Sequence, residues 1–519
     1  MDILHNLATG FGVVLSPGNL FYCFLGCLVG TLVGVLPGIG PLAALSLLLP
    51  ITFSIPSVSS IIMLCGIFYG AMYGGSTTSI LVNIPGEAAS VVTCMDGYQM
   101  ARKGRAGAAL GMAAFASFIA GTLSNVGLNL LSPVLVEVAL KFGPPEYFSV
   151  MTLGFVVCLF MVGGSMSKAL VMIGLGLFVS SVGMDIVNGA ERFTFGYVNL
   201  TKGFDLVAVI MGMFGLAEIL LSMEEESTRD IFAQKIKGLL PDLKDWALSF
   251  WPIVRGSALG FFLGVLPGGG PVTSSFMSYA IERKVSAHPE KFGSGAIEGV
   301  AGPEAANNAA VAGSLIPLLS LGIPVNAVTA ILLGALIIHG VQPGPLLMTQ
   351  NPEIFWGVIA SMYIGNIMLL VLNLPLIGIW VQFLKIPYRI LFPFIFLMCA
   401  IGSYTSNSNI FDVWVMIGFG VLGYCLRKLR YELAPFILAL VLGPMFEQAL
   451  RQSLIISKAD PSIFFTRPIS AGLLALAFGS LGWVLWGRWK TNQKNIAARS
   501  GIPTELPLDW KDGDHERLE

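Results

Sequence analysis

The sequence predicts an all-α polytopic integral membrane protein. Hydrophobic residues make up 55% of its 519 residues, charged residues make up only 11%, and the mean hydropathy is +0.79. In an ordinary soluble domain, about a quarter of the residues are charged. Apolar stretches of membrane-spanning length recur along the chain. The sequence does not show the segments of roughly ten residues with alternating apolar and polar side chains that mark a membrane β-barrel. The spans are therefore expected to be helices.

The apolar stretches differ in length. Several match the roughly 20 residues that cross hydrocarbon, whereas others are shorter and are expected to be half-spans or re-entrant pieces. Glycines at every fourth position, at 26, 30 and 34 and again at 66, 70 and 74, predict helices packed closely against each other. In chain order, the apolar stretches are 20–35, 61–82, 106–130, 148–162, 169–182, 206–221, 258–266, 327–338, 354–380, 390–401, 413–425, 436–442 and 471–486.

The chain contains two related halves. GVLPGIGP at 34–41 matches GVLPGGGP at 264–271, and MIGLGL at 172–177 matches MIGFGV at 416–421. Such pairs fall at nearly constant separation, which chance similarity among apolar helices would not give. We therefore divide the chain into membrane repeat 1 (1–222), a charged linker (223–249), membrane repeat 2 (250–452), an additional transmembrane segment (453–487) and a polar C-terminal tail (488–519).

Basic residues indicate that the two repeats have inverted topology, because short cytoplasmic loops collect Lys and Arg. Arg102, Lys103 and Arg105 lie in the first half, whereas the corresponding LLMTQNPEI stretch of the second half has no basic residue. Conversely, basic residues at 283, 284 and 291 follow the second glycine motif, whereas TFSIPSVSS after the first has none. At each pair of corresponding loops, the basic residues occur in only one of the two halves, as is expected for inverted repeats.

The two glycine motifs break helices where broken backbone is hardest to tolerate. Irregular backbone at membrane depth survives when it is buried in protein or lines a wet cavity. Paired Gly/Pro interruptions in two inverted halves are typical of the midplane site of a secondary transporter. Free N–H groups at helix N-termini favour an anion, and glycine lets it approach the backbone. A simple kink or loop between spans is the alternative for either motif alone.

A second pair of interruptions follows each glycine motif. The stretch YGGSTTSILVNIPGEAAS at 73–90 has four consecutive hydroxyl side chains, followed by Asn83 and a Pro-Gly break. GPEAANNAAVAGSLIPLLSLGIPVNAVT at 302–329 places Asn307 and Asn308 before a Gly-Ile-Pro break. Hydroxyl, amide and freed carbonyl oxygens suit a sodium ion, and the same side chains can donate to carboxylates. The alternative is that the hydroxyls bond back to the carbonyl four residues earlier.

Carboxylates within these regions are expensive to bury and are functional candidates. Glu87 and Glu304 each follow a proline, so both also fit first-turn carboxylates that favour the helix dipole. Ligation of a coupling ion or proton transfer is the alternative. Asp96, beside a basic loop, is expected to cap or anchor a loop locally. His339 is expected to be a packed or interfacial residue.

The motifs together resemble the large membrane subunit of the tripartite tricarboxylate transporter family, the TctA type. The resemblance covers about 20–455 and rests on LPGIGP, YGGSTTSILVNIPGE, DGYQMARKGRAGAALG, LPGGGP, GPEAANNAA, PLLSLGIP and LGPMFEQALRQSL. Two departures from the family pattern are Gln99, where DGYP is usual, and the pair Val325 and Asn326, where a small residue is more typical.

The resemblance implies ion-gradient-driven uptake of carboxylates such as citrate across the bacterial inner (cytoplasmic) membrane. It also implies two partners, a small membrane subunit of the TctB type and a periplasmic substrate-binding protein of the TctC type. The net charge of −1 says little about partners. We expect a small carboxylate substrate and membrane lipid around the chain, and no nucleic acid.

The interruptions and the resemblance together give two sets of candidate residues. The substrate-binding candidates are Gly38, Ile39, Gly40, Ser76, Thr77, Thr78, Ser79, Gly268, Gly269, Gly270, Thr273, Asn307 and Asn308. The coupling-ion candidates, which are also the candidate Na+ ligands, are Asn83, Pro85, Glu304, Gly322 and Asn326. No cofactor is expected beyond Na+ or H+ as the coupling ion.

The sequence therefore favours a secondary active symporter that alternates access to a midplane anion site by moving one group of helices against another, as an elevator does. A passive anion channel, or a scaffold subunit of a membrane complex, is the alternative function. An intramembrane enzyme is disfavoured, because the sequence holds no HExxH and no convincing Ser/His pair. The identity of the carboxylate and the choice between Na+ and H+ stay open.

Overall fold

The computed structural model describes residues 3–36, 40–161, 165–185, 188–224, 238–266, 268, 270–383 and 388–500. Three predicted substrate-binding residues, Gly38, Ile39 and Gly269, lie outside these residues. So do 225–237 of the expected linker and 501–519 of the expected tail.

The described residues are almost wholly helical. One short antiparallel ribbon pairs β1 (Gly183–Met184) with β2 (Glu191–Arg192). The α-helices in chain order are α1 (Ile3–Val14), α2 (Pro17–Val35), α3 (Gly40–Leu48), α4 (Ser57–Val82), α5 (Val91–Met100), α6 (Ala106–Ala139), α7 (Pro144–Met161), α8 (Met166–Ser180), α9 (Leu206–Ile210), α10 (Ala217–Glu224), α11 (Leu243–Val265), α12 (Pro271–Val285), α13 (Glu298–Leu321), α14 (Ala327–Ile338), α15 (Leu347–Gln350), α16 (Pro352–Asn373), α17 (Ile377–Phe383), α18 (Tyr388–Asn407), α19 (Ile410–Lys428), α20 (Ala434–Ile456), α21 (Ile463–Thr466) and α22 (Pro468–Ser500).

Eight helices in the described part of the chain are long and apolar enough to cross a membrane, judged by length and composition. This confirms the predicted all-α polytopic class, whereas the inverted topology stays a prediction. The eight are α2, α4, the continuous helix Ala88–Ala139 that contains α5 and α6, the helix Leu206–Glu224 that contains α9 and α10, α11, α16, α19 and α20.

The helix α13 was not among the predicted spans. It carries Glu304, two asparagines and two internal prolines, which lower its hydropathy below that of its neighbours. Other helices nevertheless bury every residue from 299 to 320. A helix enclosed by protein on all sides does not need an apolar surface, so hydropathy alone could not reveal it.

Two expected boundaries also differ from the structure. The helix α11 already begins at Leu243, inside the expected linker, where Asp242 caps it by accepting from the backbone N–H of Asp245 at 2.7 Å. At the other end of the chain, α22 continues to Ser500 and so includes the first part of the expected tail. Charged residues near a helix end hide the boundary from a hydropathy pattern.

The helices α2 and α4 pack backbone against backbone through the first glycine stripe. A Cβ added at Gly26 would lie 2.3 Å from the carbonyl oxygen of Met63, and one added at Gly34 would lie 2.3 Å from that of Ala71. Glycines on α4 face α2 in return, since a Cβ at Gly74 would lie 2.3 Å from the carbonyl oxygen of Thr31. The predicted close packing is confirmed.

The helices α11 and α13 pack in the same manner in the second half. Gly256, Gly260 and Gly264 face Gly302, Ala306 and Ala310 respectively. A Cβ added at Gly260 would lie only 2.0 Å from the carbonyl oxygen of Ala306. Each glycine motif therefore ends a helix that is locked against the polar helix of its own half.

The core forms where helices of the first half pack against helices of the second half. The helix α6 packs against α13, and α16 packs against α4. Farther along the chain, α8 packs against α20, and α19 packs against the π-helical turn between α9 and α10. The polar helices α4 and α13 are thereby enclosed by both halves.

Replacement of Gly260 by Ala is expected to lower the free energy of unfolding by about 2 kcal/mol or more, because the new methyl group must push α11 away from α13. Gly418→Ala is the matched control, since a Cβ added at Gly418 of α19 meets nothing within 4 Å. Thermal unfolding of both variants in detergent is the measurement. Equal melting temperatures would contradict the packing described above.

Candidate functional site

The two predicted helix breaks have the same backbone design. Asn83 ends α4 with φ 58°, and Gly322 ends α13 with φ 70°, both in the left-handed region that favours glycine or asparagine. Each is followed by an Ile-Pro pair and then by a helix-capping residue, Glu87 in the first break and Asn326 in the second. The departure noted at Asn326 is therefore a substitution at one cap.

Glu87 caps the short helical turn that leads into α5. Its Oε2 accepts from the backbone N–H of Ala89 at 2.6 Å, and its own N–H donates to Oγ of Ser90 at 3.3 Å. The side chain is only 7% exposed, and its Oε1 has no hydrogen-bond partner. Glu87 therefore stabilises the start of the helical turn, as expected for a carboxylate at this position. The cap uses only Oε2, so Oε1 stays without a partner.

Asn326 caps α14 with the same reciprocal pattern. Its Oδ1 accepts from the backbone N–H of Thr329 at 2.9 Å, and its own N–H donates to Oγ1 of Thr329 at 3.0 Å. The Nδ2 atom is buried without a hydrogen-bond partner. Because the cap requires an acceptor, the oxygen assignment is fixed and the free group is an N–H donor.

The first glycine motif lies against the first break. The Thr78 hydroxyl donates to the carbonyl oxygen of Val35, at the end of α2, at 2.6 Å. A Cβ added at Gly86 would lie 2.0 Å from the carbonyl oxygen of Gly34. Gly40, with φ 60°, then begins α3. A peptide carbonyl freed where α2 ends is thus satisfied by one of the predicted site hydroxyls.

The second glycine motif lies against the second break. The backbone N–H of Gly268 donates to the carbonyl oxygen of Val325 at 2.7 Å. Gly268 and Gly270 adopt φ 78° and 40°, and a Cβ at Gly270 would lie 3.7 Å from Nδ2 of Asn326. Thr273 lies in the first turn of α12, partly exposed. The free amide of Asn326 therefore faces the N-terminus of α12.

Contacts across the halves link the elements that follow the four interruptions. The helix α12, which follows the second glycine motif, touches the turn Ala88–Ser90 of the first break. The helix α14, which follows the second break, touches α3, which follows the first glycine motif. The elements next to the interruptions therefore contact each other across the two halves.

Glu304 lies fully buried in a cluster of neutral polar side chains. Thr93 of α5 donates to Oε1, while Asn307 Nδ2 lies 3.3 Å and the Ser117 hydroxyl 3.5 Å from Oε2. Because α13 begins at Glu298, Glu304 lies beyond the first helical turn. The first-turn interpretation of Glu304 is therefore wrong.

The Asn308 side chain connects this cluster to α6. Its Nδ2 donates to the Ser117 hydroxyl at 2.8 Å, to the Glu304 carbonyl oxygen at 3.0 Å and to the Asn307 Oδ1 at 2.5 Å. Predicted substrate and coupling-ion candidates are therefore neighbours in one hydrogen-bonded network.

A narrow cavity opens beside the cluster, with room for little more than one water molecule. Of the predicted hydroxyls, Ser76 and Thr77 face this cavity. The Ser76 hydroxyl also bonds back to the carbonyl oxygen of Met72 at 3.4 Å, and Ser79 bonds back to that of Gly75 at 3.0 Å. The back-bonding alternative thus holds for Ser76 and Ser79. The lining residues are Tyr73, Ser76, Thr77, Leu110, Ala113, Ala114, Ser117 and Asn373.

Asp96 anchors a loop, but in the other half of the chain. Its Oδ1 accepts from the backbone N–H groups of Gly293, Gly295 and Ala296 at 2.7–2.9 Å. Its Oδ2 accepts from the Tyr279 hydroxyl at 2.9 Å. The expectation of a local role was wrong, because a sequence pattern does not reveal a partner so distant along the chain.

His339 is half-buried and hydrogen-bonded, as a packed histidine should be. Its Nε2 lies 2.9 Å from the Thr52 hydroxyl, and its ring contacts that of Phe53. These contacts join the end of α14 to the segment after α3.

Comparisons with known proteins give one family and two relatives. The model of the tripartite tricarboxylate transporter TctA family matches residues 20–438. An uncharacterized 52.8 kDa protein in the TAR-I ttuC' 3' region of Agrobacterium vitis is 53% identical over 476 residues, which are 92% of this chain and 95% of the relative. An uncharacterized protein in the TAR-II ttuC' 3' region of the same organism is 55% identical over 217 residues, 42% of this chain and 90% of the relative. No solved structure matches.

Replacement of Asp96 by Ala is expected to lower the free energy of unfolding by about 3 kcal/mol or more, because three backbone N–H groups and a hydroxyl lose their acceptor. Tyr279→Phe removes a single hydrogen bond of this group and should cost about 1 kcal/mol. Thermal unfolding ranks the two variants, and hydrogen exchange at the amides of 293–296 localises the loss. Unchanged exchange in the Asp96 variant would refute the anchoring role.

Proposed function

Because the chain belongs to the tripartite tricarboxylate transporter TctA family, we propose that it drives the uptake of tricarboxylates or related carboxylates with an ion gradient, Na+ or H+. Membership makes the chain the large membrane subunit of a tripartite transporter, and not an enzyme. The systems of this family include TctB and TctC partners. We assign the chain to the bacterial inner membrane, with a small TctB-type subunit beside it and a periplasmic TctC-type protein that delivers substrate.

The observation that carries the proposal is the meeting of four helix interruptions around buried polar side chains. Broken backbone in hydrocarbon costs several kcal/mol for each unsatisfied group, so a membrane protein keeps it where it lines a site. Here the interruptions come from both halves, and Ser76, Thr77 and Ser117 of the helices α4 and α6 line a cavity. This arrangement supports a midplane transport site.

The anion is proposed to bind among the helix N-termini and the cavity-facing hydroxyls. The N-termini of α3 and α12 follow the glycine motifs, and their unpaired N–H groups favour negative charge. Ser76 and Thr77 face the cavity, and Asn307 and Asn308 support it through the Ser117 and Glu304 network. These groups supply donors without an adjacent Lys or Arg, which suits a site that must also release its substrate.

Alternating access is favoured over a passive channel by the size of the cavity. A cavity with room for about one water molecule must widen to admit a carboxylate of several times that volume. Glu304, fully buried in the same network, is the principal coupling-ion candidate. Movement of one group of helices against another, as in an elevator, would open the site to either face in turn.

We also propose that the two halves are inverted repeats. The equal design of the breaks at Asn83 and Gly322, the two glycine-locked helix pairs and the exchanged packing of α6 and α16 support a common origin. The basic residues of the sequence support the inverted orientation. Labelling of introduced cysteines from each side of the membrane would test this directly.

Transport by the wild-type chain is expected to saturate with substrate and to stop when the coupling gradient is collapsed. The measurement is uptake of a panel of labelled carboxylates into proteoliposomes that contain this chain and its small partner subunit, with the binding protein added outside. Imposed Na+ and H+ gradients are tested separately. Non-saturating flux that continues after the gradient is collapsed would instead support the channel alternative.

Asn307→Leu and Asn308→Leu are each expected to abolish uptake while the protein stays inserted and folded, because each removes amide groups from the network around Glu304. Asn129→Leu is the matched control. Asn129 is a buried amide on α6 that bonds the Tyr363 hydroxyl and does not line the cavity. Size-exclusion elution checks folding. Full uptake by both network variants would remove these residues from the proposed site.

A further inference from the structure

A second buried carboxylate lies near Glu304. Glu87 is 7% exposed and Glu304 is fully buried. Glu87 caps the turn that leads into α5, and Thr93 of α5 donates to Glu304. A Cβ added at Gly75 of α4 would lie 2.8 Å from Cγ of Glu87. Both carboxylates therefore belong to one polar region at the first helix break.

The groups that the structure places against these two carboxylates are neutral. The backbone N–H of Ala89 contacts the Glu87 carboxylate, while hydroxyl and amide side chains contact the Glu304 carboxylate. Within the described residues, neither carboxylate takes part in an ion pair with Lys, Arg or His. The titratable groups that face the pair are Tyr73 and Cys94. Two buried negative charges without a positive partner carry a large desolvation cost.

Glu87 also has coordinating capacity to spare. Its Oε2 is used by the cap, whereas its Oε1 is buried and has no partner. An unpaired carboxylate oxygen in a protein interior calls for either a proton or a metal cation. The oxygens nearest to Glu304, those of Thr93, Ser117 and Asn307, are hard donors of the kind that Na+ accepts.

We propose that Glu87 and Glu304 are the two acidic ligands of one site for a monovalent cation, Na+ or H+. This inference rests on the proposed transport function and assigns Glu87, for which ligation of a coupling ion was one of two interpretations of the sequence, to the same site as Glu304. Since Ser117 contacts Glu304 and lines the cavity, the bound cation neutralises charge beside the space proposed for the anion. Cation binding thereby favours substrate binding.

The second break explains why there is one such site rather than two. Its cap is Asn326, whose Oδ1 is used by Thr329 and whose free atom is the donor Nδ2. A donor repels a cation and attracts a carboxylate. The geometry therefore moves Asn326 from the coupling-ion candidates to the anion side, next to Gly270 and the N-terminus of α12.

The experiment uses the purified full-length chain in detergent. Its thermal unfolding is recorded against increasing NaCl, with choline chloride keeping the ionic strength constant, and repeated across a range of pH. The variants are Glu87→Gln, which keeps an oxygen for the cap, Glu87→Asn, which copies the cap of the second break, and Glu304→Gln. Glu353→Gln, an exposed glutamate at the start of α16, is the control.

Stabilisation by Na+ in the wild type and in Glu353→Gln, with the half-saturating concentration raised about tenfold or more in each site variant, identifies a sodium site. Stabilisation on acidification without a sodium effect, lost in the same variants, identifies a proton site. A wild type that responds to neither cation overturns the inference. So do Glu87 variants that fold and respond like the wild type.

Uptake into proteoliposomes separates this inference from the proposed function. If the wild type takes up no carboxylate under any gradient, the transport function itself fails. If the wild type transports and both Glu87 variants keep its dependence on the cation, only the assignment of Glu87 fails. The two Glu87 variants guard against a folding defect, because a fault in one cap geometry need not affect the other.

Discussion

The structure depends on one constraint: a peptide group freed by a helix break inside a membrane must find a partner in the protein or in a bound ligand. The partners are local and specific. The Thr78 hydroxyl takes the carbonyl of Val35, the N–H of Gly268 takes the carbonyl of Val325, and reciprocal caps close both breaks at Glu87 and Asn326. The same side chains that satisfy the backbone thus define the polar region in which a ligand can be held.

Close helix packing is also needed to keep the helix breaks away from lipid. Satisfied breaks still need to be kept from lipid, and the glycine stripes on α2 and α11 let those helices approach α4 and α13 until backbone touches backbone. The enclosed helices can then carry residues that lipid would not tolerate. Glu304, Asn307 and Asn308 lie on α13 for this reason, with residues 299–320 buried entirely by protein. Packing and polarity are therefore coupled.

The periodicity of apolar residues and glycines, together with the Gly/Pro helix breakers, predicts the features of this fold that depend on residues close in sequence. Most of the spans, the close packing at the glycine stripes, and the helix breaks at Asn83 and Gly322 follow from short stretches of sequence and their chemistry. The contacts of Asp96 with 293–296 do not, since they join residues nearly two hundred positions apart. The free oxygen of Glu87 was equally hidden: its proline neighbour accounted for the carboxylate, and a pattern cannot show that the cap uses only one of its two oxygens.

The two breaks share a backbone design but leave different polar groups unpaired. Their backbones are alike, yet one cap leaves an acceptor unpaired at Glu87 and the other leaves a donor unpaired at Asn326. In a low-dielectric interior, a spare acceptor favours a cation and a spare donor favours an anion. A symporter needs both, held close enough that the charge of one offsets the charge of the other. A single exchange between Glu and Asn at equivalent positions supplies that difference without disturbing either cap, so the asymmetry between the halves lies in chemistry rather than in fold.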